Sequence, residues 1–342
     1  MSQPYLSVVV TARNDNHGGD MLGRMQMFVE SFLDQCDRFK LRAELIVVDW
    51  NPPEGKPPLM DAIKWPKNQG YCAVRFITVP PERHLKLENA ENLPLFQMIA
   101  KNVGIRRACG EFMMATNIDI LFSDALFAIM AKKKLHPKRC YRCDRWDVIP
   151  HPDRSLSPKA RLDWCKDHTI RFNELESTRH TNGDIYPLYW PDSWKVRLLE
   201  WLEDRDWVPV VTRKRLHTNA CGDMTLMHQT GWAAIHGYSE REVFSMHIDS
   251  WGLNAAVLAG WKQVCWSPPA VTYHLEHDVG SGWSEEGQTL LDARLEAKGI
   301  PQISFEKYHY WCIQMRRGHS PSFTAGHDWG FANEELFESS PF

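Results

Sequence analysis

The 342-residue sequence predicts an α/β fold, an open sheet flanked by helices. Three observations predict it. Short unbroken apolar runs recur through the first third, helical stripes separate them, and each run stops in a polar or proline cluster. Runs without polar alternation are typical of strands buried on both faces.

The first strand is expected at Leu6–Val10, ending in Thr11-Ala12-Arg13-Asn14-Asp15. The second, Leu45–Val48, ends in Asp49-Trp50-Asn51-Pro52-Pro53, and the third, Val74–Val79, at Pro80-Pro81. The fourth, Glu111–Thr116, runs into Asn117-Ile118-Asp119. After the first strand, Leu22, Met25, Phe28, Val29, Phe32, Leu33 and Cys36 recur at three- and four-residue spacing, one apolar stripe of a helix. Pro94–Ala108 forms a second helix, with Pro in its first turn and Gly110 beyond its end. Ser123-Asp124 caps a third, which closes on Lys132-Lys133-Lys134 as a solvated end matched to the helix dipole. This order gathers Thr11–Asp15, Asp49–Asn51 and Asn117–Asp119 on one rim, where open α/β sheets bind ligands.

From Leu135 the pattern loosens. Turn signals fall at His136-Pro137, Asn182-Gly183-Asp184 and Trp190-Pro191-Asp192. Helices are expected at Thr230–His236, at Trp251–Ala259, and from Ser284-Glu285-Glu286 through Leu295 to Gly299. Three stretches result: 1–125, 126–280 and a C-terminal extension, 281–342. The extension's Trp311, Trp329, Phe331 and Phe342 suit a lid, a dimer contact or a membrane-surface dock.

Composition narrows the function. Lys plus Arg number 40 against 43 Asp plus Glu, a net charge of −3, which excludes a generally basic nucleic-acid wrapper and an acidic disordered tail. No stretch approaches the roughly 18–20 apolar residues of a membrane span, and the first residues lack the pattern of a signal peptide. The expected location is cytoplasmic, free or peripheral to the inner face of a membrane. Trp occurs 15 times, as often as Phe, enough to supply both core and sugar-stacking surfaces. Nine Cys in such a chain fit buried thiols better than a disulfide framework.

Two metal patterns compete. Asp119 follows a buried strand, and His274 and His277 lie in a distant Tyr273-His274-Leu275-Glu276-His277 segment. Carboxylate plus imidazole with open positions suits Mn2+ or Mg2+ bridging a diphosphate. Read from spacing alone, Asp119 as a helix cap and the histidines as surface residues fit better. Cys140-x2-Cys143 with Cys165-x2-His168 has the look of a zinc site. Against it, 140–148 reads as one strand, and residues three apart on a strand point to opposite faces. Lys138, Arg139, Arg142 and Arg145 beside it read as a solvated basic strand or as cations facing an anionic ligand.

Several blocks together resemble family 2 glycosyltransferases of the GT-A (Rossmann-like) fold. They are Ser7–Asn14, Glu44–Asp49, and Lys101-Asn102-Val103-Gly104-Ile105-Arg106-Arg107-Ala108-Cys109-Gly110-Glu111 running into Asn117-Ile118-Asp119. Gly222-Asp223-Met224-Thr225-Leu226-Met227 through Gly237-Tyr238-Ser239-Glu240 is similar to the family's acceptor side, and His247-Ile248-Asp249 stands where the family places its catalytic acids. The resemblance spans about residues 5–280. It implies metal-dependent, inverting transfer of a sugar from a nucleoside-diphosphate donor, UDP above all, to a hydroxyl of a glycan or other acceptor. It places Thr11, Arg13, Asp49, Lys101, Asn102, Asn117 and Asp223 at the donor. Asp119, His274 and His277 would hold the cation. Asp249 would be the base, with His247 competing two residues away; on a strand both would share a face. Residues 1–125 would then bind the nucleotide sugar and 126–280 the acceptor.

Departures keep rivals open. Asn117 replaces the first acid of the family's DxD motif, Ile248-Asp249 replaces its acid pair, and Lys101 stands where Arg is common. A non-catalytic sugar- or nucleotide-binding module is the main alternative. A nucleotidyltransferase ranks last, because Thr11–Asp20 has Gly18-Gly19 but no basic phosphate loop.

Overall fold

The computed structural model describes residues 3–188, 193–203, 205, 207, 208, 215–277, 285–318 and 326–342. The turn at Trp190-Pro191-Asp192 and the cap residue Ser284 lie outside the described residues.

Among the described residues the strands are β1 (Leu6–Ala12), β2 (Ala43–Trp50), β3 (Cys72–Val79), β4 (Phe112–Ala115), β5 (Ile120–Phe122), β6 (Arg139–Cys143) and β7 (Arg145–Val148). They continue as β8 (Thr169–Asn173), β9 (Ser177–His180), β10 (Ile185–Pro187), β11 (Thr225–His228), β12 (Lys262–Trp266), β13 (Thr272–Leu275) and β14 (Phe337–Ser339). They form two mixed sheets. One runs β12-β6-β11-β4-β1-β2-β3-β14 and the other β10-β9-β8-β7-β13-β5. The architecture is mixed α/β with flanking helices, as the sequence predicts, but the irregular stretch after Leu135 supplies most of a second sheet.

Successive residues of the central strands feed opposite cores. Val8, Val10, Leu45 and Val47 pack in one apolar cluster with helix Met21–Arg38, whereas Val9, Ile46 and Val48 pack in another with helix Gln97–Arg107. Both faces are therefore dry, which is why these strands lack polar alternation. β1 pairs in parallel with β2 and β4, so their carboxyl ends share one rim.

Several elements differ from expectation. The second helix begins at Gln97 rather than Pro94. The stretch 140–148 is not one strand: it breaks at Asp144 into β6 and β7, which belong to different sheets. β11 pairs antiparallel with β4 near the middle of the larger sheet, and β14 closes its β3 edge. Asp249 lies in the first turn of helix Ile248–Leu258 rather than on a strand. The later helices are Gln229–Ile235, Glu285–Ala297 and Phe305–Arg316. No helix among the described residues is long and apolar enough to cross a membrane.

Candidate active site

A cleft of about 780 Å3 opens at the carboxyl ends of β1 and β4. β1 delivers Thr11, with Arg13 just beyond, and the β4–β5 link delivers Asn117 and Asp119. Asp223 comes from the turn before β11, His247 and Asp249 from the start of helix Ile248–Leu258, and His274 and His277 from β13 and the residues after it. The extension closes one side, with Leu291, Arg294, Phe305 and Tyr308 on the wall.

Asp119 stands between the two imidazoles. Its Oδ2 lies 3.0 Å from His277 Nε2 and 3.9 Å from His274 Nε2, with Arg24 Nε at 4.0 Å. Its Oδ1 is buried and, among the described residues, has no hydrogen-bond partner. Burial alone would raise the Asp119 carboxyl, but the His277 hydrogen bond and the His274 and Arg24 charges hold it well below the usual carboxylate range. One ligand atom from each of Asp119, His274 and His277 lies within 4.8 Å of the others. A carboxylate with a vacant lone pair and two imidazoles is a donor set that fits a divalent cation such as Mn2+, with positions left for diphosphate oxygens.

The second sheet fixes His274. Parallel pairing of β13 with β7 sets His274 opposite Asp147 and puts Nδ1 3.0 Å from Asp147 Oδ1, leaving Nε2 toward Asp119. A carboxylate behind an imidazole fixes ring orientation and raises its basicity. Asp147 is wholly buried, 2.8 Å from Arg145 Nε, and accepts hydrogen bonds from Arg171 Nε at 2.5 Å and Asn173 Nδ2 at 2.8 Å. Arg171 also donates to Glu276 Oε2 at 2.6 Å. Burial opposes the Asp147 charge, but Arg145, His274 and Arg171 outweigh it and hold the carboxyl below its ordinary range. His274 shows the opposite balance. Burial and Arg145 disfavour its charge, yet Asp147, Glu276 and Asp119 push it up to about 10, and a cation binding there would displace that proton.

Asp249 faces the cleft beside the turn that carries Asp223. Its Oδ1 accepts the Ser250 backbone N–H at 2.8 Å, and a β-carbon on Gly222 would stand 2.9 Å from its Oδ2. His247 has left-handed backbone (φ 66°) and stacks its ring on Tyr308, centroids 5.1 Å apart. Asn117 accepts a hydrogen bond from Gln97 Nε2 at 2.9 Å and donates to Asp223. Asp223 is held from its other side by Arg145 Nη1 at 2.5 Å. The amide in place of the first acid is thus an engaged structural link.

Three expected donor residues lie off the cleft wall. Asp49 is buried and accepts the Leu59 N–H at 3.0 Å, with its carboxyl pushed up to about 6 by burial. Lys101 is wholly buried, and its Nζ donates to Gly222 O at 2.7 Å. Asn102 clasps Tyr238, accepting from its N–H at 2.7 Å and donating to its carbonyl at 2.8 Å. Lys101 and Asn102 thus brace the turn and loop that carry the acceptor-side residues. No Trp lies among the described wall residues; the aromatic wall is Phe244, Phe305 and Tyr308 with Tyr186.

The zinc pattern comes apart. Cys140, Cys143 and Cys165 are buried thiols pushed up to about 12 by burial, and the His168 ring stacks on Trp164 at 3.8 Å. None of the four belongs to a metal-capable group among the described residues. Arg142 is no solvated cation either: it is buried and donates to the His217, Met224 and Asn219 carbonyls. In the extension, Trp311 stacks on Trp251 at 4.6 Å, Trp329 and Phe331 are core, and Phe342 packs on Trp65. Trp311, Trp329 and Phe331 are buried packing contacts, whereas Phe342 stays 40% exposed.

Sequence reasoning missed Arg24, Asp147, Arg171 and the pairing roles of Arg145 and Glu276. A faint signal existed. Arg145-x-Asp147, Arg171-x-Asn173 and His274-x-Glu276 are period-two pairs that share a strand face.

No family model matches the chain, and no curated protein matches it. Among solved structures it is similar to S. aureus TarS, with 13% identity, a TM-score of 0.45, and 94% of this chain and 44% of that one covered. It is also similar to S. aureus TarS 1–349 in complex with UDP-GlcNAc, at 14% identity and TM-score 0.45 over 95% of this chain and 74% of that one. GalNAc-T7 with UDP, GalNAc and Mn2+ gives 14% identity and TM-score 0.46 over 97% of this chain and 54% of that one. The chain spans less than half the length of the longer TarS structure. With TM-scores below 0.5 these neighbours decide nothing about the cleft, whose chemistry rests on its own side chains.

Proposed function

We propose that the protein is a GT-A-type glycosyltransferase that moves a sugar from a nucleoside diphosphate to an acceptor hydroxyl. A divalent cation, Mn2+ or Mg2+, would be held by Asp119, His274 and His277. The observation that carries the reading is the buried Asp119 carboxylate, with one oxygen unpartnered among the described residues, set between two imidazoles in the cleft that also holds Asp249. When bound, the cation supplies neutralisation of the charge that develops on a leaving diphosphate.

The chain's own residues carry the remaining work. Asp147 and Glu276 hold His274 in place from behind. Thr11 and Arg13 take the nucleoside end, with UDP the nucleotide that the family resemblance favours. Asp249 Oδ2 receives the acceptor's hydroxyl proton as that oxygen attacks the anomeric carbon and the bond to the diphosphate breaks. Attack opposite the leaving group inverts the anomeric centre. Asp249 is favoured over His247 because the His247 ring is stacked against Tyr308. The extension's wall excludes water that would hydrolyse the donor. A cytoplasmic location and a glycan acceptor belong to the same reading.

A second reading, a non-catalytic binding module, is favoured by one observation: the amide of Asn117 is tied between Gln97 and Asp223. Release of nucleoside diphosphate from UDP-, GDP- and dTDP-sugars with Mn2+ separates the two. Turnover of one donor, lowered about a hundredfold or more in Asp249→Asn with nucleotide affinity retained, is the result expected. Nucleotide binding without turnover of any donor would favour the module.

A further inference from the structure

Helix Trp194–Glu203, which follows β10, turns large apolar side chains outward. Trp194, Leu198 and Trp201 fall at i, i+4 and i+7 and are 70%, 46% and 43% exposed. Trp207 beyond the helix is 66% exposed and packs edge-on against Trp201, centroids 5.2 Å apart. The inner side carries the partly buried Val196 and Leu199 together with Glu203, which is 2% exposed and 3.5 Å from Arg316. A helix that buries its carboxylate against the body and turns Trp, Leu and Trp outward is anchored for an apolar medium outside the protein. Trp50, Trp232 and Trp251 contrast with it, being wholly buried.

The flanking charges select the medium. Arg205 lies 3.9 Å over the Trp201 ring, and Lys195 lies 5.9 Å from the centre of Trp194. Over 193–215 the sequence has six Lys or Arg against four Asp or Glu, in a chain whose net charge is −3. Indole rings beside cations are the composition of the bilayer interface, where the ring sits at headgroup depth and the cation meets anionic lipid.

We propose that this face docks the protein on an anionic membrane surface as an interfacial helix. The inference does not depend on sugar transfer. It does have a consequence for the cleft, because Tyr186, Pro187 and Leu188, a few residues before the helix, line it. Docking would set that wall of the cleft toward the lipid.

Sedimentation of the full chain with vesicles tests this, using phosphatidylcholine alone and phosphatidylcholine with about one-third phosphatidylglycerol. The wild type should sediment with the anionic vesicles. Trp194→Ser/Trp201→Ser should lower the partition about tenfold or more at unchanged far-ultraviolet dichroism. Lys195→Glu/Arg205→Glu should weaken binding to anionic vesicles and leave the weaker binding to neutral ones unchanged. No sedimentation with either vesicle, or equal sedimentation of the Trp variant, would overturn the proposal. So would concentration-dependent dimerisation that the Trp variant abolishes while vesicles are ignored, which would make the face a self-association surface.

Discussion

Two buried carboxylates, one on each sheet, show how differently the two sides of the cleft are built. Asp49, at the end of β2, has one backbone N–H and the charge of Arg13 for company, and burial pushes its carboxyl up to about 6. Asp147, in β7, is more deeply enclosed, yet two guanidinium groups, an amide and an imidazole surround it and keep it ionised. Burial sets the cost of a charge, and its neighbours decide whether the charge survives. The larger sheet offers a rim of short polar clusters on an apolar base. The smaller sheet carries a buried ionic framework around Asp147 that orients the His274 imidazole.

The largest effect should come from breaking that framework. Asp147→Ala would strand Arg145 and Arg171 in a dry site and release the His274 ring. Chemical denaturation should then show a loss of about 3–5 kcal/mol, and Mn2+ affinity should fall about 10–100-fold. An equal loss of stability with cation affinity intact would separate His274 from the framework.

A smaller effect with an opposite sense of pH is expected at Asp49. Its folded pKa lies above the unfolded value, so its contribution is present below about pH 3.9 and is lost as pH rises through about 6. Asp49→Asn should therefore be more stable than the wild type at neutral pH by up to about 3 kcal/mol, and no more stable near pH 4. Asp147 runs the other way: its contribution is present above about pH 4 and is lost as pH falls through its folded pKa. Thermal melts from pH 4 to pH 7.5 would read the Asp49 difference directly.

The smallest change is a single methyl group. Gly222→Ala would place a β-carbon 2.9 Å from Asp249 Oδ2. Displacing that oxygen should cut turnover about tenfold while leaving nucleotide affinity unchanged. A matched loss of affinity would mean that the turn serves the nucleotide instead of the base.

The same contrast explains what was legible in the sequence. β1, β2 and the stripe of helix Met21–Arg38 announce themselves because most of their side chains pack in apolar clusters, and that constraint is local. Thr11, Asn117 and Asp119 follow, since strand ends define the rim. The smaller sheet hid itself. Arg145 alone stood out, as a solvated or ligand-facing cation, and its link with Asp147 and Arg171 appears only once β7, β8 and β13 are paired. The contact that orients His274 joins residues 127 positions apart, which no local periodicity encodes. Asp249 and His247 were placeable near the cleft but not on the right element, because Ile248–Leu258 opens with a left-handed residue rather than a recognisable cap. Lys101 and Asn102 look like ligand contacts in sequence and prove to be tethers, because a buried cation or amide needs partners whatever its role.

The most direct test of the cation-centred site is calorimetric titration of UDP, with and without Mn2+, into the wild type and Asp119→Ala. Tight binding is expected in the wild type only with the metal, and none detectable in the variant under either condition. Metal-independent binding of equal strength in both proteins would contradict it, and the pairing of Asp119 with His274 and His277 would then be structural alone.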